Sequence, residues 1–139
     1  MKLSTVFLVN AIVALLFGLG FLLIPEATLA PYGLTLDEVG INIARLYGAA
    51  LLGYAVLTWS ARNSEESAAR RAIVLALFLS TGVGFVVSLV NQLSGLANAL
   101  GWSTVVLFLL FTLAYGYFQF AQPSSTPEAT PGPTDVTAS

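Results

Sequence analysis

Residues 40–62 read GINIARLYGAALLGYAVLTWSAR, and this apolar stretch predicts the fold of the whole chain. A helix rises about 1.5 Å per residue, so about 20 apolar residues cross the roughly 30 Å hydrocarbon core of a bilayer. Ala44 and Gly48 lie four positions apart, and small residues at this spacing let membrane helices pack closely. We therefore predict a membrane-spanning helix that begins near residue 40, with one charge, Arg45, just inside its start.

The composition of the chain also predicts a membrane protein. Of its 139 residues, 57% are hydrophobic and only 9% are charged, and the mean hydropathy is +0.86. Soluble domains carry about 25% charged residues, so this chain has too few charges to cover a water-soluble surface. The formal net charge of −2 gives no basis for binding nucleic acid, because such binding depends on many basic contacts to phosphates.

Four apolar runs predict an all-α integral membrane bundle. They lie at about residues 3–24, 40–61, 70–93 and 99–121, and each is long enough to span a bilayer. Short connections between consecutive spans favour an antiparallel, up-down-up-down arrangement. We expect one transmembrane domain over residues 1–121.

The first run has an alternative reading as a signal peptide, because Lys2 precedes it. A signal peptide has an apolar region of about 7–15 residues that ends at a small-residue cleavage site. The run is longer than this, and the candidate site before Pro31 is followed by proline. We therefore predict that the first helix is retained and that it ends at Pro25.

Residues 122–139 differ in composition from the rest of the chain. They read QPSSTPEATPGPTDVTAS, a segment rich in Pro, Ser and Thr. Such a segment buries too little apolar surface to offset its ordering entropy, so it is predicted to be disordered.

Orientation is predicted from the positions of the basic residues. Lys2 lies before the first span, and Arg62, Arg70 and Arg71 lie between the second and third spans, while the two opposite loops carry no Lys or Arg. The positive-inside rule then predicts an inner-membrane protein with both termini in the cytoplasm. Asp37, in the acidic first loop, is predicted to cap the second helix.

Small residues at four-residue spacing predict the packing faces of the bundle. In the second span Gly48 follows Ala44, and Gly53 follows Ala49, by four positions. The third span carries Ser80, Gly84 and Ser88. Asn10 is an interior polar residue of the first span, and such asparagines mostly form hydrogen bonds between helices.

Several kinds of chemistry are excluded by missing residue types. The chain has no cysteine and no histidine, which removes thiolate chemistry, the commonest metal ligand and the usual general base. Its only lysine is Lys2, and no predicted span contains a carboxylate. We therefore predict a non-enzymatic protein without metal or cofactor.

Arg45 is the main candidate for a functional residue, because a charge inside a span is costly. One reading is structural: its side chain reaches the headgroups or pairs with an acid of the first loop. The other is a ligand site, since a guanidinium is a fixed fork of donors suited to anionic or carbonyl groups. Counted from the span ends, four polar residues lie near its depth and complete a candidate ligand or lipid contact: Asn42, Ser88, Ser103 and Thr104.

The chain resembles the DoxX-like membrane proteins and nearby bacterial four-span families in three features. These are the layout of four short spans, a glycine-rich first helix that ends in Pro25, and the sequence ARLYGA at residues 44–49. Some DoxX relatives are membrane subunits of quinone-linked oxidoreductases, so the resemblance implies that a role in such a complex is one alternative. A small oligomeric transporter or channel component is another. The leading hypothesis is an accessory subunit or a bundle that binds lipid or a small ligand, alone, as a homo-oligomer or in a larger membrane complex.

Overall fold

The computed structural model describes residues 2–121, which form an all-α antiparallel bundle. Within these residues the α-helices are α1 (Leu3–Leu23), α2 (Pro25–Leu29), α3 (Glu38–Ala61), α4 (Ala68–Leu93) and α5 (Gly101–Gly116), with a 3-10 turn at Ala30–Tyr32 and a π-helical turn at Tyr117–Ala121 that continues α5. Helices α1, α3, α4 and extended α5 are long and apolar enough to cross a membrane. The predicted fold class is confirmed, whereas the predicted disorder of residues 122–139 lies outside the described residues.

Local sequence signals explain where the helices begin and end. Helix α1 ends before Pro25, whose ring disfavours a helical conformation in the preceding residue, and Ile24 has φ −138° and ψ 59°. The carboxylate of Asp37 accepts a hydrogen bond of 2.7 Å from the Gly40 amide, so Asp37 caps α3 as predicted. Ser67 performs the same role for α4, accepting from the Arg70 amide at 3.2 Å.

The helices associate as two hairpins that follow chain order. Helix α1 packs along α3, and α4 packs along α5, whereas α3 and α4 make little contact with each other. At Gly48 an added Cβ would lie 2.7 Å from the Leu22 amide nitrogen and 2.8 Å from the Gly18 carbonyl oxygen, so only glycine permits this approach of α1 and α3. Gly84 of α4 is similarly covered by the ring of Phe108 of α5.

The two hairpins meet in a core near one end of the bundle. We call this the basic end, because Lys2, Arg62, Arg70 and Arg71 lie there. Buried side chains from all four long helices form this core: Val6, Phe7, Ala61, Val74, Leu77, Phe111 and Tyr115. The opposite end, the loop end, carries the first loop (residues 24–37) and the second loop (residues 94–100).

Candidate functional site

A cavity of about 270 Å³ lies between the two hairpins, on the loop-end side of the core. We call it the inner cavity. Its wall is mostly apolar and aromatic, and includes Phe17 and Phe21 of α1, Leu51 of α3, and Leu107 and Phe108 of α5. An apolar cavity of about 150 Å³ is large enough for benzene. The inner cavity therefore has room for a larger apolar group.

A second, open space of about 610 Å³ separates α3 from α4, and we call it the lateral cleft. Its two sides include Ala50 and Tyr54 of α3, and Ser80 and Val87 of α4, and all four residues are exposed. The lateral cleft also shares wall residues with the inner cavity, among them Leu51. The interior of the bundle is therefore continuous with the surface between α3 and α4, which faces hydrocarbon in a membrane.

A hydrogen bond between the hairpins marks the bottom of both spaces. The Asn10 amide of α1 donates to the Tyr115 hydroxyl of α5 at 2.8 Å, and Tyr115 is fully buried. Asn10 and Thr81 line both the inner cavity and the lateral cleft, but Thr81 donates within its own helix, to the Leu77 carbonyl oxygen at 2.7 Å. The predicted role of Asn10 as a contact between helices is confirmed.

The loop end of the inner cavity is covered by two loops that are tied together at Asn98. Its side-chain amide donates to the Pro31 carbonyl oxygen at 2.9 Å, and its backbone amide donates to the Tyr32 carbonyl oxygen at 3.0 Å. The Gln92 amide in turn donates to the Asn98 carbonyl oxygen at 3.1 Å. We call this set of bonds the Asn98 clasp. It holds the first loop, which contributes Tyr32 to the cavity wall, against the second loop, which contributes Ala97.

Some polar side chains that line the inner cavity make no hydrogen bond within the described residues. Among residues 2–121, the Asn91 amide, the Thr104 hydroxyl and the Tyr47 hydroxyl make no hydrogen bond, although all three line the cavity. Ser88 lines it as well, and donates to the Phe85 carbonyl oxygen at 3.0 Å. A group without a partner in an apolar setting costs free energy unless water or a ligand bonds to it. No charged side chain lines either space within the described residues.

The structure brings together only some of the residues that were predicted around Arg45. Ser88 and Thr104 line the inner cavity. Asn42 and Arg45 are exposed on α3 and line neither the inner cavity nor the lateral cleft. Ser103 is also exposed and donates to the Leu100 carbonyl oxygen at 2.6 Å. The polar cluster was predicted from depth alone, which does not say towards which side of a helix a residue points.

Arg45 lies level with the loop end of α1 rather than with its middle. Gly48 contacts Gly18 and Leu22 near the end of α1. Arg45 is three residues nearer the loop end, which is about 4.5 Å along the helix. This places it beside the last residues of α1. Within residues 2–121 Arg45 forms no hydrogen bond or ion pair, including none with the acids of the first loop.

The residues predicted for helix packing also divide into two groups. Gly48 and Gly84 lie at close contacts within a hairpin. Gly53 faces open space, with no atom within 4 Å of an added Cβ, and Ser80 is an exposed residue of the lateral cleft. A packing role for Gly53 or Ser80 therefore needs a second molecule, and it stays a prediction.

The sequence matches the family model described as "Domain of unknown function (DUF8292)" over residues 8–128. The chain belongs to this family. The part matched by the DUF8292 model includes every residue that lines the inner cavity and the lateral cleft. No curated protein and no solved structure gives a significant match. The DUF8292 description names no activity, so the resemblance to DoxX-like proteins stays a prediction.

The inner cavity of this DUF8292 chain has room for a mainly apolar group. It presents uncharged donors and acceptors in a mostly apolar wall, and residues 2–121 contain no cluster of acids able to hold a metal ion. From the sequence, Asn91 and Asn98 are predicted only as interfacial residues at the rim of the polar cluster around Arg45, and the bonds of Asn98 to the first loop are not predicted. The one available signal was their concentration at the end of the third span and the start of the fourth.

Proposed function

We propose that this protein is a non-enzymatic membrane protein that binds a neutral, mainly apolar ligand in the inner cavity. The observation that carries the proposal is the cavity itself, which combines apolar walls with the unbonded side chains of Asn91, Thr104 and Tyr47. Ligand sites are typically apolar concavities with a few polar groups that fix orientation. The absence of charged groups in the cavity wall favours a ligand without charge, because an unpaired charge in such a site is costly.

The proposal keeps the predicted class of function but moves the site. The predicted contact centred on Arg45, whereas the cavity is lined by Ser88, Asn91 and Thr104 and not by Arg45. Arg45 has a separate role in this proposal: it anchors the loop end of α3 at the headgroups. Binding of this kind requires no acid, base or nucleophile.

The test uses Thr104→Val, which keeps the shape of the side chain and removes the unbonded hydroxyl. The protein is purified in mild detergent, and native mass spectrometry measures the fraction that carries a bound mass. We expect the wild type to retain a defined ligand and Thr104→Val to bind it about three- to tenfold more weakly, the value of one neutral hydrogen bond.

Thr112→Val is the matched control on the same helix. The Thr112 hydroxyl donates to the Phe108 carbonyl oxygen at 2.7 Å, and Thr112 lines neither space. We expect its ligand occupancy to equal that of the wild type. A wild-type protein that retains no ligand, or equal losses in both variants, would rule out the proposed site.

We further propose that the protein lies in the inner membrane with both termini in the cytoplasm. The four basic residues of the basic end support this orientation under the positive-inside rule. Arg62 also stacks on Trp59, 3.6 Å from the ring centroid, an arrangement typical of the membrane interface.

Single cysteines test this orientation, because the native chain has none. Asn63→Cys lies beyond the end of α3 at the basic end, and Ala99→Cys lies in the second loop; both positions are exposed. We expect a membrane-impermeant maleimide to label Ala99→Cys on intact cells and Asn63→Cys only after permeabilisation. The reverse pattern would invert the proposed topology.

A further inference from the structure

We propose that the ligand is a neutral lipid that enters the bundle sideways from the bilayer, between α3 and α4. Its head, which carries carbonyl or hydroxyl oxygens and no charge, lies in the inner cavity, and its chain lies in the lateral cleft. This inference rests on the proposed function and adds to it the class of ligand, its orientation and its route.

The route follows from the difference between the two openings of the bundle. At the loop end, the Asn98 clasp joins the first and second loops by bonds of 2.9 and 3.0 Å to the backbone of residues 31 and 32. Helices α3 and α4 pack against each other only slightly, they meet in the core at Ala61 and Val74, and residues on both sides of the lateral cleft are exposed. Entry from the bilayer therefore separates little packing between helices, whereas entry through the loops breaks the clasp.

The position of the head follows from the polar side chains. Asn91, Thr104 and Tyr47 each offer an unbonded donor within residues 2–121, and carbonyl or hydroxyl oxygens are the groups that accept from them. All three residues are in the loop-end half of their helices, where the head of a lipid from that leaflet lies. A phosphate or a quaternary ammonium would enter without a charged partner, which is strongly unfavourable.

The position of the chain follows from the walls of the lateral cleft. From Asn91 towards the middle of the membrane, α4 presents Val87 and Val83 to the cleft, and α3 presents Leu51 and Ala50. These side chains offer apolar contact, and the hydroxyl groups of Tyr54 and Ser80 follow further towards the basic end of the cleft. An acyl or prenyl chain is the component of a bilayer that matches such a surface. With the chain in the lateral cleft, the head of the same lipid reaches the inner cavity where the two spaces adjoin.

Photo-crosslinking tests the inference directly in the full-length protein. The protein is reconstituted in vesicles of phosphatidylethanolamine and phosphatidylglycerol that contain a monoacylglycerol with a diazirine in its chain. A phosphatidylglycerol with the same diazirine chain serves as the charged counterpart. We expect saturable labelling by the neutral probe on the α3 and α4 residues of the lateral cleft, displaced by unlabelled monoacylglycerol. The charged probe should label only the outer helix surfaces.

Paired variants then separate the lateral route from entry through the loops. Ala50→Phe with Ser80→Phe fills the lateral cleft, and neither residue lines the inner cavity. The matched control is Ala49→Phe with Ala76→Phe, on the same two helices at exposed positions outside both spaces. We expect the first pair to reduce saturable labelling about tenfold, or about 1.4 kcal/mol of binding free energy, and the control pair to leave it unchanged. Circular dichroism and gel filtration establish folding, and Ser80→Phe alone replaces the pair if the pair is unstable.

Each outcome has a distinct meaning. Saturable labelling of the cleft that is lost in the filled variant supports the inference. Unchanged binding in the filled variant, together with faster binding in Asn98→Ala, shows entry through the loops and overturns the inference while leaving the proposed function intact. Equal saturable labelling by the charged probe overturns the neutral head. Both proposals are overturned if the neutral probe gives no saturable labelling and the purified protein carries no ligand whose binding weakens in Thr104→Val.

Discussion

The two ends of the bundle are built from the same four helices but differ in how these helices meet. Near the basic end, Phe7, Thr58 and Tyr115 are fully buried, and the two hairpins contact one another directly. Towards the loop end the hairpins separate around the inner cavity, whose wall combines buried residues such as Ala14 and Gly101 with exposed ones such as Tyr47 and Asn91. One end therefore holds the hairpins together by side-chain packing, whereas at the other end they enclose a space and are tied by the Asn98 clasp.

Polar side chains illustrate the same difference. In the core near the basic end, Asn10 bonds to Tyr115 across the hairpins, and Thr58 donates to the Tyr54 carbonyl oxygen at 2.8 Å. Towards the loop end, the exposed Asn91 and the partly buried Thr104 have no partner within the described residues. Their polar groups are therefore accessible to a ligand.

The largest predicted difference between the ends comes from removing an aromatic ring. Phe7→Ala, in the closed core, should lower the free energy of unfolding by about 2–4 kcal/mol, because a cavity forms where the neighbours cannot collapse. Phe17→Ala, in the wall of the inner cavity, should cost less than about half of this, because the site is already partly open. Unfolding by dodecyl sulfate in mixed micelles measures both. Equal losses would contradict the division into a closed and an open end.

A smaller effect is expected from glycines that lie on the same helix. Gly48→Ala places a Cβ 2.7 Å from a backbone nitrogen of α1, and it should destabilise the first hairpin by about 1–3 kcal/mol. Gly53→Ala meets no atom within 4 Å and should be neutral or stabilising by up to about 1 kcal/mol, the gain in helix propensity. The same micelle titration checks both variants. A loss at Gly53 of the size seen at Gly48 would instead indicate a helix from a second molecule.

The smallest difference concerns single hydroxyl groups. Tyr115→Phe removes the bond to Asn10 and should cost about 0.6–1.7 kcal/mol, the range for hydrogen bonds between membrane helices. Thr104→Val removes a hydroxyl without a partner and should leave the stability of the ligand-free protein within about 0.5 kcal/mol of the wild type. Unfolding of delipidated protein makes this measurement. A larger loss in Thr104→Val than in Tyr115→Phe would show that the open end also holds the bundle together.

The sequence predicts the fold of this protein well, for reasons that are local. Long uncharged runs can satisfy their backbone groups in lipid only as helices, so the four spans follow from composition. Asp37 before α3 and Pro25 after α1 fix helix ends through their own backbone chemistry. Gly48 was predicted at a close contact because small residues are the ones that allow it.

The candidate site is much less predictable, since it depends on how the helices are rotated and paired. The bond from Asn10 to Tyr115 joins residues 105 positions apart, and no local pattern identifies that partner. Arg45 was predicted to be the main functional residue because it is charged. The rotation of α3, however, turns it away from the inner cavity. The gap between α3 and α4 could not be expected either, because consecutive helices usually lie next to each other.

The pairing of each helix with its neighbour in sequence has a consequence for biogenesis. Since α1 packs on α3 and α4 packs on α5, each hairpin has its principal partner as soon as its second span leaves the translocon. In the two-stage picture, helices insert first and associate afterwards. The first hairpin can thus complete its contact at Gly48 while α5 is still being synthesised, and the bond from Asn10 to Tyr115 is among the last to form. Synthesis would then deliver two assembled hairpins to the membrane, and their docking would create the inner cavity and the lateral cleft.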